Sequence, residues 1–410
     1  MSPSLRLFLV ITLPLAAFGA INQASRTVMA IIGPGLATEL SLSASALGLL
    51  AACMFAAYAG AQLPVGIALD RWGPRRIQTV LALLTAAGFA LFAQSHSLAG
   101  LAIARIIVGI GISAALMAII KAHSLWCGPS QVANMTGIAM VVGALGSVLT
   151  TAPAQAAMPL LGWRGIFWLL CACALANAAW VWFSVGDKPA PAARYRAAGE
   201  AAVVWQILSS GRFWRFAPAA SMLSVLNFTY LGLWAGPWLR DVAGYDGPRL
   251  AQTLFIYTLA LMAGGYVVGW AASRAQTRGM SARLVPGLCT LGLLAAQAGL
   301  ACGPSTPAVV TGLWLLFGFC ASGGPAGYIV ITQMFPLEQT SRVSTAINSL
   351  TLGSAFLLQT AIGAILDLWP RTPSGGWDSA GYSAVLLLSI VLQLFAAALA
   401  SFGTIPLRRA

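Results

Sequence analysis

The chain has 410 residues, of which 59% are hydrophobic and 8% charged, and its 22 Lys and Arg outnumber 9 Asp and Glu for a formal net charge of +13. Soluble domains average roughly 45–50% apolar and about 25% charged residues, so a water-soluble fold is excluded. The basic residues are scattered over separate segments instead of forming one patch, which argues against a nucleic-acid partner and for an orientation signal facing anionic lipid headgroups.

A spanning helix needs about 20 mostly apolar residues. The first such run, 7–36, carries Asn22, Gln23 and Arg26; Asn22 and Arg26 are four apart and share one helix face. Its start imitates a secretory signal, with Arg6, an apolar stretch and Ala17-Phe-Gly-Ala20, but the further spans favour a retained first helix. The second run, 43–63, leads into Gly66-Ile-Ala-Leu-Asp70-Arg71-Trp-Gly73-Pro-Arg75-Arg76, and the third is 76–95. The fourth, 98–121, holds Arg105-Ile-Ile-Val-Gly109-Ile-Gly111 and ends at Lys121; the fifth, 133–157, and the sixth, 164–184, flank Gly162-Trp163-Arg164. A polar, proline-bearing linker, 185–215, separates this half (1–184) from a second (216–410).

The second half repeats the plan with runs at 216–238, 250–272, 284–302, 306–333, 343–367 and 381–403. Asn227, Tyr230 and Trp234 follow i, i+3, i+7 on the seventh helix, Tyr328 and Gln333 lie in the tenth, and Asn348 and Gln359 are spaced to form a polar line on the eleventh. At the place matching the Asp70 loop stands Gly269-Trp-Ala-Ala-Ser273-Arg274-Ala-Gln-Thr-Arg278, so the halves read as diverged copies. Runs this long and continuously apolar are helices, not alternating barrel strands. The expected fold is all-α, with twelve transmembrane helices in two pseudo-symmetric six-helix bundles. Arg6, Arg71, Arg75, Arg76, Lys188, Arg194, Arg196, Arg212, Arg215, Arg274, Arg278, Arg283, Arg342, Arg408 and Arg409 fall on one side, and Arg164, Arg240, Arg249 and Arg371 on the other. The positive-inside rule then puts both termini in the cytoplasm.

At these residues the chain resembles the major facilitator superfamily of secondary transporters, over all twelve spans. The Gly66–Arg76 stretch is similar to that family's cytoplasmic signature between helices two and three, and Arg105 with its glycines and Gly162-Trp163-Arg164 match two further patterns. The resemblance implies alternating access about a site between two bundles, with Asp70, Arg71, Arg75 and Arg274 as gating residues. It also implies that helices one, four, seven and ten line the path, which adds Tyr328 and Gln333 to the site. Arg26 is placed much like the helix-one arginine of organophosphate antiporters and organic-anion transporters. For Asp70 and its neighbours the plainer reading is that the arginines only set topology.

Charged groups at membrane depth are costly and usually face a cavity. Arg26, Arg105 and Lys121 qualify, whereas no Asp or Glu lies in the middle of a span. A cationic cavity favours an anion, because a guanidinium offers a planar fork to carboxylate or phosphate. The expected site is Asn22, Gln23, Arg26, Arg105, Asn227, Tyr230, Trp234, Tyr328, Gln333 and Asn348, for a small anionic or zwitterionic organic solute. The bland alternatives are snorkelling for Arg26 and Lys121, helix packing for Arg105, and interhelical hydrogen bonding for the polar residues. Cationic drug export is disfavoured by the missing midplane carboxylate and by the helix-five stretch Gly143-Ala-Leu-Gly146-Ser-Val-Leu-Thr-Thr-Ala-Pro153, which departs from the glycine-proline-glycine pattern of the drug/proton antiporters in the family the chain resembles, although efflux of a drug or metabolite is the alternative within the same fold. A membrane-embedded enzyme is the competing class, and two isolated histidines and end-placed acids supply no metal or acid–base cluster for it. No cofactor or metal is expected. The expected partners are the solute, the bilayer and a coupling proton or exchanged anion, with a monomer in a bacterial inner membrane. The seven cysteines show no zinc or redox spacing, and Cys171 and Cys173 point to different faces of one helix.

Overall fold

The structure is a computed structural model that describes residues 6–127, 129–187, 205–336, 339–373 and 375–401. The middle of the predicted linker, with Lys188, Arg194 and Arg196, lies outside the described residues. Those residues hold helices and one isolated β-bridge, Arg371 to Trp377. They fall into two compact units, one within Met1–Leu42 and Leu49–Tyr195, the other within Ser43–Gly48 and Arg196–Ala410.

Ten helices are long and apolar enough to cross a membrane. One of them, Ala44–Gln94, is two spans joined at Gly73, whose φ of 78° and ψ of 165° leave the helical region. Only glycine takes that conformation without strain, and the following Pro74 disfavours helix at the preceding residue. Ala152–Ser184 turns in the same way at Gly162, φ 60°. Cutting at these glycines, and taking Pro129–Leu149 and 152–161 as one span across the turn at Thr150 and Thr151, gives α1 (Phe8–Glu39), α2 (44–72), α3 (74–94), α4 (Leu98–Trp126), α5 (129–161), α6 (163–184), α7 (Gly211–Asp241), α8 (Gly247–Thr277), α9 (Leu284–Ala301), α10 (Pro307–Thr332), α11 (Thr340–Leu366) and α12 (Ser379–Ser401). The twelve expected spans are therefore present, in order.

Several of their ends run past the predicted ones. α2 continues through Asp70 and Arg71, and α7 begins at Gly211, so Arg212 and Arg215 are helical and not linker. Hydropathy marks the part of a helix in hydrocarbon, but the backbone stays hydrogen-bonded through the polar ends as well.

In the first unit α1 packs along α5, α6 and the second half of α4. The α1–α5 contact is close because Gly19 meets Gly143 backbone to backbone, and a Cβ on Gly146 would fall on the Ala20 carbonyl. Such small-residue seams are how membrane helices pack without a hydrophobic driving force. In the second unit α7 packs against α10, α11 and α12, and α8 against α10. The Gly323-Gly-Pro-Ala-Gly327 segment is a close approach: Gly324 lies against Ser224 and Gly327 against Ala220, both on α7.

Candidate functional site

The first unit brings charge to membrane depth. On α1, Arg26 Nε donates to Asn22 Oδ1 at 2.9 Å, as the four-residue spacing requires, and the guanidinium lies 4.9 Å from the Tyr58 ring centroid on α2. A cation over an aromatic face gains about 0.5–2 kcal/mol depending on desolvation. Arg26 is half-buried, Asn22 and Tyr58 are buried, and Gln23 is half-buried next to them. Tyr58 was not legible as a partner because nothing in the sequence registers α2 against α1.

Arg105 behaves differently. It is 1% exposed, and its Nη1 donates to the Ser25 carbonyl at 2.8 Å and its Nε to the Leu50 carbonyl at 3.3 Å. One guanidinium thus ties α4 to α1 and α2, and the α1 carbonyl it holds is the one just before Arg26. Its Nη2 is buried with no hydrogen-bond partner among the described residues. Gly109, one turn on, lies against the Met54 carbonyl, so α4 and α2 touch backbone to backbone beside the arginine.

Lys121 is paired: its Nζ sits 2.6 Å from Asp70 Oδ1. Arg75 donates through Nε to the Trp182 carbonyl at 2.8 Å and through Nη1 to Asp187 at 3.2 Å, and Arg76 reaches the same carboxylate at 3.6 Å. Arg71 lies over Trp72. The signature loop is therefore tied within its own unit to α4 and to the end of α6. At the opposite end, Glu39 accepts from Trp163 Nε1 and Arg164 Nη1, both at 2.6 Å, and Arg164 Nη2 lies 3.2 Å from His96 Nδ1. The Gly162-Trp163-Arg164 turn is thus a strut onto the end of α1. His123 is fully buried, with Thr12 and Thr136 hydroxyls at 3.0 and 2.9 Å from its two ring nitrogens.

In the second unit the predicted polar line on α7 divides. Asn227 accepts from Tyr257 at 3.0 Å, whereas Tyr230 turns into the bundle core, its hydroxyl 3.1 Å from Ser389 and its ring among Trp314 and Phe317. Trp234 is buried against Trp377. Tyr230–Trp234 is a five-residue π-helical turn, which shifts the face on which the side chains after Tyr230, Trp234 included, emerge. Tyr328 meets Thr351 at 2.5 Å, Gln333 is exposed and bonds Gln276 at 3.3 Å, and Asn348 is half-buried. Gln359 Nε2 donates to the Phe228 carbonyl at 3.2 Å. Arg274 is exposed near the end of α8.

The described carboxylates, Glu39, Asp70, Asp187, Asp241, Asp246, Asp367 and Asp378, all lie at or beyond helix ends, while Arg26 and Arg105 lie well inside α1 and α4. No group of three His, Cys, Asp or Glu suited to a metal occurs among the described residues. Cys171 is buried and Cys173 exposed, as their spacing requires.

Comparison with known proteins agrees with this architecture. The chain is 24% identical over 277 residues to a probable sulfoacetate transporter of Cupriavidus necator, a match spanning 64% of each chain. It is 24% identical over 391 residues to the hexuronate transporter of Bacillus subtilis, covering 92% of both. The crystal structure of a bacterial homologue of the human lysosomal transporter Spinster, inward-facing and unoccupied, superposes with a TM-score of 0.82 at 17% identity over 98% of this chain and 97% of the other. The family model of the Major Facilitator Superfamily matches residues 15–359, and the chain belongs to that superfamily of secondary transporters.

Proposed function

We propose that the chain carries a small organic anion, with a carboxylate as the recognised group, across the bilayer by alternating access. The observation that carries the reading is the half-buried Arg26 guanidinium in the interior of α1, steered by Asn22 and Tyr58, in a protein whose described carboxylates all stand at helix ends. A guanidinium cannot shed its charge at membrane depth, so an anion is the ligand that lowers its cost. Sulfoacetate and hexuronate, named for the two relatives, are both carboxylates at neutral pH.

In this reading Arg26 binds the anion, Asn22 holds its Nε fork in orientation, and Tyr58 supports the opposite face. Arg105 shapes the α1 backbone from below and is a positioning residue, while Asp70, Arg71, Arg75 and Arg274 belong to the gating machinery. Asn227, Tyr328, Asn348 and Gln333 remain candidates for the neutral part of the solute. The carrier works as a monomer in a bacterial inner membrane with both termini cytoplasmic, without a nucleic-acid partner, and moves its solute with a proton or in exchange for another anion.

The test is saturable uptake of labelled carboxylates by purified protein in liposomes, after thermal-shift screening of carboxylates, phosphates, amino acids and dipeptides, since a ligand of the folded state raises its apparent stability. Arg26→Ala is expected to abolish both uptake and the ligand-induced shift while the protein still folds. Normal saturable transport by Arg26→Ala removes this residue from the site.

A further inference from the structure

The arginine-rich end of the second unit holds a cluster to which anion transport gives no task. Arg212 and Arg215 lie in the first turns of α7, and Arg283 stands at the cap position of α9. Two of the three converge on one buried ring: the guanidinium carbon of Arg283 is 4.6 Å and that of Arg215 5.6 Å from the Phe216 centroid. Arg212 is occupied with the Met334 carbonyl at 3.1 Å. Arg283 Nε is buried and has no hydrogen-bond partner among the described residues.

No described carboxylate of the second unit stands at this end. The described carboxylates of the unit are Asp241, Asp246, Asp367 and Asp378, at the end of α7, the start of α8, the end of α11 and the start of α12, which is the opposite end of each helix. Arg274 and Arg278 add to the positive end at the close of α8. Like charges held on one ring repel, and stacking on Phe216 offsets only part of that. An anion seated between the two guanidiniums would remove the repulsion, and a phosphate suits them because each presents a planar pair of donors.

What lies beyond Arg283 indicates where the phosphate comes from. Leu284, Leu288 and Leu291, at i, i+4 and i+7 of α9, are 37%, 57% and 64% exposed and run from the arginine toward the middle of the helix. Trp214, 48% exposed, stands beside Arg215 in α7, and tryptophan is the residue enriched at headgroup level. A pair of guanidiniums continued by an exposed apolar strip matches one molecule with both parts, a lipid, better than a free ion.

We propose that Arg215 and Arg283 bind the phosphate of an anionic phospholipid, with an acyl chain lying along the leucine face of α9. The site is separate from Arg26 and does not depend on the identity of the solute.

Native mass spectrometry of the purified full-length protein, given equimolar phosphatidylglycerol and phosphatidylcholine with matched acyl chains, tests it. Wild type is expected to retain phosphatidylglycerol preferentially, each of the two arginines contributing about a fivefold factor. The preference should fall to parity in Arg215→Gln/Arg283→Gln and survive in Arg278→Gln, which removes one charge from the same end. If the double variant does not fold, Arg215→Gln alone should lose about one such factor; full preference in that variant overturns the proposal. So do equal adducts of both lipids in wild type, or a loss in Arg278→Gln as large as in Arg215→Gln. Inorganic phosphate or glycerol phosphate that displaces the lipid completely at millimolar concentration would assign the arginine pair to a soluble anion and overturn the lipid.

Discussion

Two arginines at membrane depth look alike in sequence and do different work. Arg26 keeps part of its surface open and is steered by a side chain and a ring, whereas Arg105 is closed off and spent on two backbone carbonyls. Arg105→Lys therefore keeps the charge but cannot reach Ser25 and Leu50 together, since an ammonium is a point donor and not a fork. We expect that variant to lose roughly 1.5–3 kcal/mol, the worth of one hydrogen bond to a charged group, seen as a lower Tm with residual transport. Arg26→Lys should keep its Tm and lose affinity for the anion. Equal Tm losses in the two variants would refute the division of labour. Sequence marks such residues because charge in an apolar run is conspicuous. It does not say which one faces a ligand, because that depends on which neighbouring helix presents a bare carbonyl and which presents Tyr58.

Helix ends carry much of the polar structure that the apolar pattern leaves unread. Asp367, one residue past α11, accepts the N–H groups of Ala44 and Ser45 at 2.9 and 2.8 Å, so it caps the first turn of α2 from a distant part of the chain. Burial alone would raise its pKa, but hydrogen bonds from the Ser45 side chain, the Ser45 and Ala44 amides and the Ser43 side chain outweigh that and hold it below the usual aspartate range. A carboxylate whose folded pKa is depressed stabilises fully above its unfolded pKa, and the contribution disappears as pH falls through the folded value. Asp367→Asn should accordingly cost about 1 kcal/mol at pH 7, the general worth of such a cap. The gap from wild type should narrow only below about pH 4, the ordinary aspartate value. A Tm difference that stays constant down to pH 3 would mean that the cap does not act through the charge. In sequence Asp367 read as a peripheral acid, because the partner turn lies more than three hundred residues away. The predicted stripe on α7 assumes one 3.6-residue period, which cannot be carried from Tyr230 to Trp234 through the π turn that joins them.

The twelve spans were legible because a bilayer imposes one length and one polarity on every crossing segment, and glycines with positive φ at 73 and 162 mark where two continuous rods must turn. Sidedness rests on a different signal, the uneven placement of Lys and Arg. In the second unit two successive turns differ in charge among the described residues. The α7–α8 connection carries Asp241 and Asp246 with Arg240 and Arg249 close by, whereas the α8–α9 connection is flanked by Arg274, Arg278 and Arg283 without an acid. Translocation of a loop is opposed by its basic residues far more than it is helped by its acids, so we expect the α8–α9 turn to stay in the cytoplasm and the α7–α8 turn to cross. Alkaline phosphatase, which needs an oxidising compartment to form its disulfides, should be active when fused after Ala243 and inactive when fused after Met280. A reporter that fluoresces in the cytoplasm should give the converse. The opposite pattern at both sites would invert the protein, put the Phe216 arginines in the outer leaflet, and leave the charge asymmetry without the meaning given to it. Activity at both sites would break the span between them and with it the assignment of α8 as a membrane helix.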